Sequence, residues 1–550
     1  MQGAARGRKE RGFSMKKAMK KLMAALLAVA MVCAMAIPAF AYNPGETEED
    51  LNTKHNYGAF QIFTGDVSED NKKISNVAWG QNITKPDIFL DILQSDSTIG
   101  NQFINAKTAQ DVLTVISTWH DSDDDSIAFA RCVCKYLYPT ADAKPEPVDQ
   151  DHTGGIEIHR PGYYLIVDIS PFDDDDFYHA YNSFLLTVTK APYHFNIKHK
   201  VVKPTVKKEV YDNDDKSSGD NNGWGSSADH AINEPFKFQL IAKLPASRDN
   251  GRAYDYYDKY TVCFNDTLSA GITFDNLDTV EIANVDGGDP KEITDYTLVK
   301  DLHEAGLPSS FKLSIDNVKT CAAAAGLNLN DGATITVTYT AHLNENATVN
   351  TAGGDTKNKN SVYLQYSNNP RINTSLDKTP TSEVCVYTYQ LNNTKYHDDD
   401  TPGNELAGAG FRLYSDEACN NEIKLKKNGD GTYSRYFGTE DGEEMFSDDK
   451  GQFNVKGLDA GTYHLRETTT PKDYSACPDT TIVISATHDV YNVSLSGESN
   501  LNNKIINKKA GGITLPSTGG IGTTLFYVIG GGLMAAAAIL LITKKRMENH

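Results

Sequence analysis

Charged and amide side chains rarely sit on the inward face of a strand, yet this 550-residue chain places two such sets there. Alternate residues of a strand share a face. In PTVKKEV, Val206, Lys208 and Val210 therefore lie together, with Lys207 on the opposite face as the rival lysine. In YTVCFNDTLSAGITF, Val262 and Phe264 carry Asp266 inward; in KNSVYLQYSNNP, Asn360 shares its face with Val362, Leu364 and Tyr366. The pattern recurs nearer the C-terminus. Tyr387, Tyr389 and Leu391 lead by twos to Asn393 and Lys395, Tyr463 and Leu465 share a face with Glu467, and Ile505 with Asn507.

Burying such groups is costly, and a salt bridge with an asparagine partner gains little once its charges have left water. A chemical solution leaves no buried charge. Apolar surroundings lower a lysine pKa and raise a carboxyl pKa. A neutral amine can then attack the asparagine side-chain carbonyl while the protonated acid polarises it and shuttles protons; ammonia leaves and an isopeptide bond remains. Lys208 and Asn360 are 152 residues apart, Lys395 and Asn507 112. Closing loops of that length stabilises by about 5 kcal/mol each on a chain-entropy estimate.

The elements that must position these residues are mainly β. From residue 201 onward, short alternating runs recur between Gly, Asn, Asp and Pro clusters, the pattern of tandem immunoglobulin-like β-sandwiches, expected at 201–383 and 384–510. Residues 42–200 read instead as one α+β unit. Thr108 can cap a helix carrying Val112, Val115, Ile116 and Trp119, and Ser126 can cap Ile127 to Leu137. Ala59–Thr64 and Gly162–Ile169 read as strands, the second with Tyr164, Ile166 and Asp168 on one face. The acidic runs Asp123–Asp125, Asp173–Asp176 and Asp212–Asp220 lack calcium-loop spacing and read as solvated loops; no metal or other cofactor is expected. HExxH, GxSxG and a usable Cys/His pairing are all missing, so the chain is not expected to be an enzyme.

Both ends carry addresses. Met15-Lys16-Lys17, an apolar run from Leu22 to Phe40 and Ala39-Phe40-Ala41 form a secretory signal that ends at residue 41. At the other end, within 511–550, Leu515-Pro516-Ser517-Thr518-Gly519 precedes an uncharged span, Ile521 to Thr543, and then Lys544-Lys545-Arg546. The span is long enough to cross about 30 Å of hydrocarbon as a helix. Removing the +7 of residues 1–41 and the +2 of residues 544–550 from a net −20 leaves −29 on the exported part. So acidic a surface argues against nucleic acid as a partner. Seven cysteines remain after the signal, an odd and scattered set; Cys132 and Cys134 read as small core residues, and Cys419 and Cys477 could pair.

LPSTG, the apolar span and the basic tail together resemble the LPxTG sorting signal of Gram-positive surface proteins. The resemblance implies that a sortase cuts between Thr518 and Gly519 and passes the Thr518 carbonyl to an amine. YHLRETTTPKDY, NELAGAGFRLY upstream and INKK just before LPSTG resemble a collagen-adhesin B-type (Cna-B) domain, whose glutamate, lysine and asparagine map to Glu467, Lys395 and Asn507. KYHDDDTPGNELAGA departs from that pattern by a longer insertion after the lysine. NDTLSAGITF and NKNSVYLQYSNNP are similar to the collagen-adhesin A-type fold, with Lys208, Asp266 and Asn360 in the matching roles. IFTGDVSEDNKKISNVAWG resembles the start of the first domain of Gram-positive backbone pilins.

In that family a lysine between the first two domains accepts the next subunit. There it sits in a VYPK-like pilin motif and maps to Lys200 in Ile197-Lys198-His199-Lys200, with Lys198 and Lys203 as neighbours, although the Tyr and Pro of that motif are not present. The resemblance therefore implies a backbone subunit of a sortase-assembled pilus fixed to the cell wall. The partners implied are sortase, further copies of the chain, peptidoglycan, minor pilins and host surface ligands. A minor pilin or stand-alone wall-anchored adhesin, with the same anchor but no accepting lysine, is the alternative.

Overall fold

The structure is a computed structural model and describes residues 56–510 apart from 68–73, 120–123, 141, 152–154, 171–182, 197–202, 213–222, 247–253, 255–256, 286, 301–309 and 350–357. The signal at 1–41, LPSTG at 515–519, the span 521–543, Lys198, Lys200 and the acidic run 173–176 lie outside these residues. Three bodies follow one another along the chain.

The first is α+β. An antiparallel sheet runs Ile74–Trp79, Tyr57–Val67, Gly162–Asp168, Ser183–Val188, with Asp149–Asp151 also paired to Tyr57–Val67. Period-two alternation sorts its residues between two cores. Phe60, Ile62, Leu165 and Val167 pack against helices, and Tyr57, Ala59, Tyr164 and Ile166 against Ile156 and Ile158. Thr108 caps the helix Ala109–Ile116 and forms a reciprocal capping box with Asp111. Ser126 does not cap: the next helix is Asp124–Leu137, where Asp124 and Asp125 occupy the first turn and oppose the helix dipole. Cys132 and Cys134 are both buried in that helix. A further helix, Pro86–Ser95, opens on proline and buries Phe89, Leu90 and Leu93.

The second body is a sandwich of two sheets. One runs Ser227–Asp229, Ser382–Tyr387, Lys359–Ser367, Val262–Leu268, Phe311–Ile315, Thr297–Lys300. The other runs Lys291–Glu292, Ile272–Ala283, Thr334–Leu343, Pro235–Lys243, Thr205–Tyr211, Trp224–Gly225. Thr334–Leu343 alternates buried and half-buried residues along its whole length, the signature of one face on a core. The third body is a smaller sandwich. In it Tyr389–His397 and Asn502–Lys509, its first and last strands, lie side by side in parallel, with Lys395 opposite Ile505 and His397 opposite Asn507.

The boundary between the sandwiches differs from the one expected at 383/384, which falls inside the strand Ser382–Tyr387. That strand pairs with Lys359–Val362 and with Ser227–Asp229, so the second body extends to Tyr387. Its two faces serve different cores: Val384 and Val386 belong to the second body, Cys385 and Tyr387 to the third. The Tyr389 hydroxyl donates to Asp229 Oδ2 at 2.7 Å, and His488 Nδ1 lies 2.9 Å from Ser227 Oγ across the same joint. Ile232 N–H donates to Gly457 O at 3.0 Å. Gly457 has φ +77°, and a Cβ there would run into the Ile232 side chain. Gly457→Ala is therefore expected to destabilise the two-sandwich unit by about 1–3 kcal/mol. Thermal unfolding together with protease sensitivity near residue 388 would register it, and unchanged values for both would rule the contact out as a constraint.

Candidate cross-linking sites

In the second body the inner face brings Lys208, Asp266 and Asn360 to one place. Lys208 comes from Thr205–Tyr211 in one sheet, Asp266 and Asn360 from neighbouring strands of the other. The Lys208 and Asp266 side chains are fully buried, and Lys208 Nζ donates to Asp266 Oδ2. Lys207, on the opposite face, is half-exposed and pairs with Glu209. Phe238 and Tyr339 line the Lys208 ammonium, their ring centroids 5.1 and 5.3 Å away. Burial in this apolar setting pulls the Lys208 pKa down to about 8 against the opposing pull of Asp266. Burial also raises the Asp266 carboxyl, against the opposing pull of Lys208. Both shifts favour an uncharged pair.

Tyr339 is a member of this site that the parity reading did not single out. Its hydroxyl accepts from Lys208 Nζ at 3.0 Å and from Asn360 Nδ2, and donates to Asp266 Oδ1 at 3.2 Å. The signal was present in TITVTYTAHL, where Ile335, Val337, Tyr339, Ala341 and Leu343 share the buried face. A tyrosine in such a row must find a partner for its hydroxyl.

In the third body Lys395, Glu467 and Asn507 also meet. Lys395 Nζ donates to Asn507 Oδ1 at 2.6 Å, and Asn507 Nδ2 donates to Glu467 Oε1 at 2.7 Å. Lys395 Nζ lies 3.7 Å from Glu467 Oε2, and both side chains are fully buried. The insertion after Lys395 loops out and returns, Tyr396 bridging to Glu405, so the strand carrying the lysine keeps its register. Phe411 lines the ammonium at 5.2 Å and stacks on Phe453. Burial pushes the Lys395 pKa down, partly offset by Cys477 and Glu467. Asn393, on the same face, is satisfied by Phe453 O and Asn503.

Cys477 enters this site as a neighbour of the acid. Its N–H donates to Glu467 Oε2 at 2.8 Å, and burial pushes its thiol up to about 11. Cys419 and Cys477 are both free thiols, so the possible pairing does not form; Cys419 Sγ sits 3.9 Å from Asp479 instead.

Each site gathers a desolvated amine, a side-chain amide and a buried acid, in direct contact in the third body and linked through Tyr339 in the second, which is the set of groups that amide exchange with release of ammonia requires. The C-terminal part of the chain matches two family models. Residues 392–499 match the SpaA prealbumin-like fold domain, and residues 507–549 the LPXTG cell wall anchor motif. No curated protein matches the chain. Among solved structures, it is similar to the T6 backbone pilin of serotype M6 Streptococcus pyogenes, with 15% identity over 84% of this chain and 97% of that one and a TM-score of 0.43. It is likewise similar to the major pilin SpaD from Corynebacterium diphtheriae, with 16% identity, 85% and 100% covered, and a TM-score of 0.40. The C-terminal fragment of the major pilin GBS80 of Streptococcus agalactiae gives 20% identity, 56% and 99% covered, and a TM-score of 0.39. The chain is a surface protein of the Gram-positive cell wall, held there by an LPXTG anchor. Directly before that anchor stands a SpaA prealbumin-like domain, and the architecture ahead of it is mainly β.

Cross-linking at these sites would carry a mass signature. The mature protein is expected to fall short of its sequence mass by two ammonias, Asp266→Ala or Glu467→Ala to restore one each, and an unmodified wild-type mass would exclude both bonds. The pH dependence follows from the shared proton. The pairs Lys⁰/AspH and Lys⁺/Asp⁻ hold the same number of protons, so pH does not move one into the other. Cross-linking of Lys208 is expected to be flat across the central range. It should fall in acid, where the pair takes a second proton and the lysine stays charged, and fall in alkali, where the pair loses its proton and with it the acid. A time course of the mass shift, in chain made by cell-free synthesis and transferred to buffers of different pH, tests this.

Proposed function

We propose that this protein is the structural backbone subunit of a sortase-assembled, covalently polymerised pilus. The observation that carries the reading is the pair of buried Lys–acid–Asn sites, one in each sandwich, directly ahead of a wall-sorting anchor. Isopeptide bonds from Lys208 to Asn360 and from Lys395 to Asn507, promoted by Asp266 and Glu467, would tie each sandwich across strands that carry tension. Hydrogen-bond ladders alone separate under steady load; a covalent tie removes them from the load path.

Polymerisation uses the C-terminal sorting signal and the junction between the first two bodies. A sortase cleaves after Thr518 and transfers its carbonyl to Lys200 of the next copy, between the first and second bodies, and the last copy is passed to peptidoglycan. The chain is a substrate and a building element here rather than an enzyme, since the catalytic cysteine belongs to sortase. On this plan the folded bodies span 42–200, 201–387 and 388–510. Minor pilins and a host surface ligand complete the partner set.

Cell-wall extracts boiled in SDS are expected to show a ladder of covalent multimers, and Lys200→Ala to collapse it to the monomer while Lys198→Ala and Lys203→Ala leave it intact. A ladder that survives Lys200→Ala removes that lysine as acceptor. A wild-type protein found at the wall only as monomer would make it a stand-alone surface protein.

A further inference from the structure

The two candidate sites differ in how the acid reaches the amide. In the third body Glu467 Oε1 takes the hydrogen bond of Asn507 Nδ2 directly, at 2.7 Å. In the second body the acid is one methylene shorter, and no hydrogen bond joins Asp266 to Asn360; the Tyr339 hydroxyl stands between them, bonded to Asn360 Nδ2 on one side and to Asp266 Oδ1 at 3.2 Å on the other. Asp266 Oδ2 meanwhile receives Lys208 Nζ. Amine, carboxyl, hydroxyl and amide nitrogen thus form one unbroken chain of hydrogen bonds inside a buried core.

We propose that Tyr339 is a catalytic residue of the second body, relaying the proton from Asp266 to the departing amide nitrogen of Asn360. The inference rests on the reading of this body as a Lys208–Asn360 isopeptide domain. Starting from the uncharged pair, Lys208 Nζ attacks Asn360 Cγ and the carbonyl electron pair moves to Oδ1. The attacking nitrogen gives one proton to Asp266 Oδ2. Attack makes Asn360 Nδ2 a tetrahedral amine with a free electron pair, and with the carboxyl proton on Oδ1 the Tyr339 hydroxyl turns from Asp266 towards that nitrogen. Asp266 then gives its proton from Oδ1 to the Tyr339 oxygen, and the Tyr339 hydroxyl proton passes to Nδ2. The pair on Oδ1 returns, the Cγ–Nδ2 bond breaks, and ammonia leaves. One proton has moved from Nζ to Nδ2, and Asp266 and Tyr339 end as they began. Burial holds the Tyr339 hydroxyl well above its usual range, so it stays protonated and able to pass a proton on. No oxidant, metal or outside water is needed.

Removing the hydroxyl while keeping the ring breaks the relay at its middle link. Tyr339→Phe should slow formation of the Lys208–Asn360 bond by at least about 10²-fold, the lower end for lost proton transfer. The Lys395–Asn507 bond of the same molecule should form at its normal rate. Both are read by peptide mapping after pulse–chase cell-free synthesis of the full chain. Asp266→Glu in the Tyr339→Phe background lengthens the acid to the reach that Glu467 has in the third body, and is expected to restore much of the lost rate. A merely structural tyrosine would not be rescued in this way. Tyr339→Phe cross-linking as fast as wild type overturns the relay. So does a slow Tyr339→Phe that regains nothing from the longer acid while both variants keep a wild-type circular dichroism spectrum. Wild type with the third body's bond but none between Lys208 and Asn360 would overturn the underlying reading, and the relay with it.

Discussion

An ammonium taken out of water beside a carboxyl group meets two opposing pulls: burial drives both groups toward neutrality, and their attraction holds both charged. In each sandwich of this protein the balance is set by an aromatic floor, Phe238 and Tyr339 under Lys208 and Phe411 under Lys395, and by the complete burial of lysine and acid. Most of the architecture serves that condition. The strands that carry the three groups must alternate strictly, the two sheets must exclude water, and the lysine strand must hold its register. Lys208 N–H is fixed to Ser382 Oγ at 2.9 Å for this last purpose, and Lys395 N–H to Gly451 O at 2.7 Å.

Much of this was legible because a β-strand has a period of two. A lysine between two valines, or a glutamate two places beyond a leucine, is visible without any tertiary information, and the structure sets Lys208 against Asp266 and Glu467 against Asn507. The capping box at Thr108 is local chemistry and was equally readable. Tyr339 carried a readable signal that passed unnoticed, because tyrosine on an inner face looks like ordinary core until its hydroxyl is followed.

What escaped the sequence depends on packing between bodies. SEVCVY alternates nothing, since Val384 and Val386 face one core and Cys385 and Tyr387 another, so a boundary drawn from texture alone cut through it. The Ile232–Gly457 contact joins residues whose proximity no local pattern encodes. The helix Asp124–Leu137 starts ahead of Ser126 because its acidic first turn already opposes the dipole. Its burial of Cys132 and Cys134, by contrast, agrees with their reading as small core residues.

With the proposed bonds closed, the backbone becomes a string of rings: Lys208 to Asn360, then Lys395 to Asn507. A protease that cuts inside a ring does not sever the chain, because both fragments stay joined through the bond. Between the rings lies only 361–394, and its last part, from Val384 through Tyr389, is buried where the two sandwiches share a strand. The turn and strand around Leu376–Lys378, with the residues leading to Ser382, are the most exposed stretch between Lys208 and Asn507 where a single cut would part the chain. Topology thus shelters nearly all of the two sandwiches from outright scission, and it does so without asking their loops to resist cleavage.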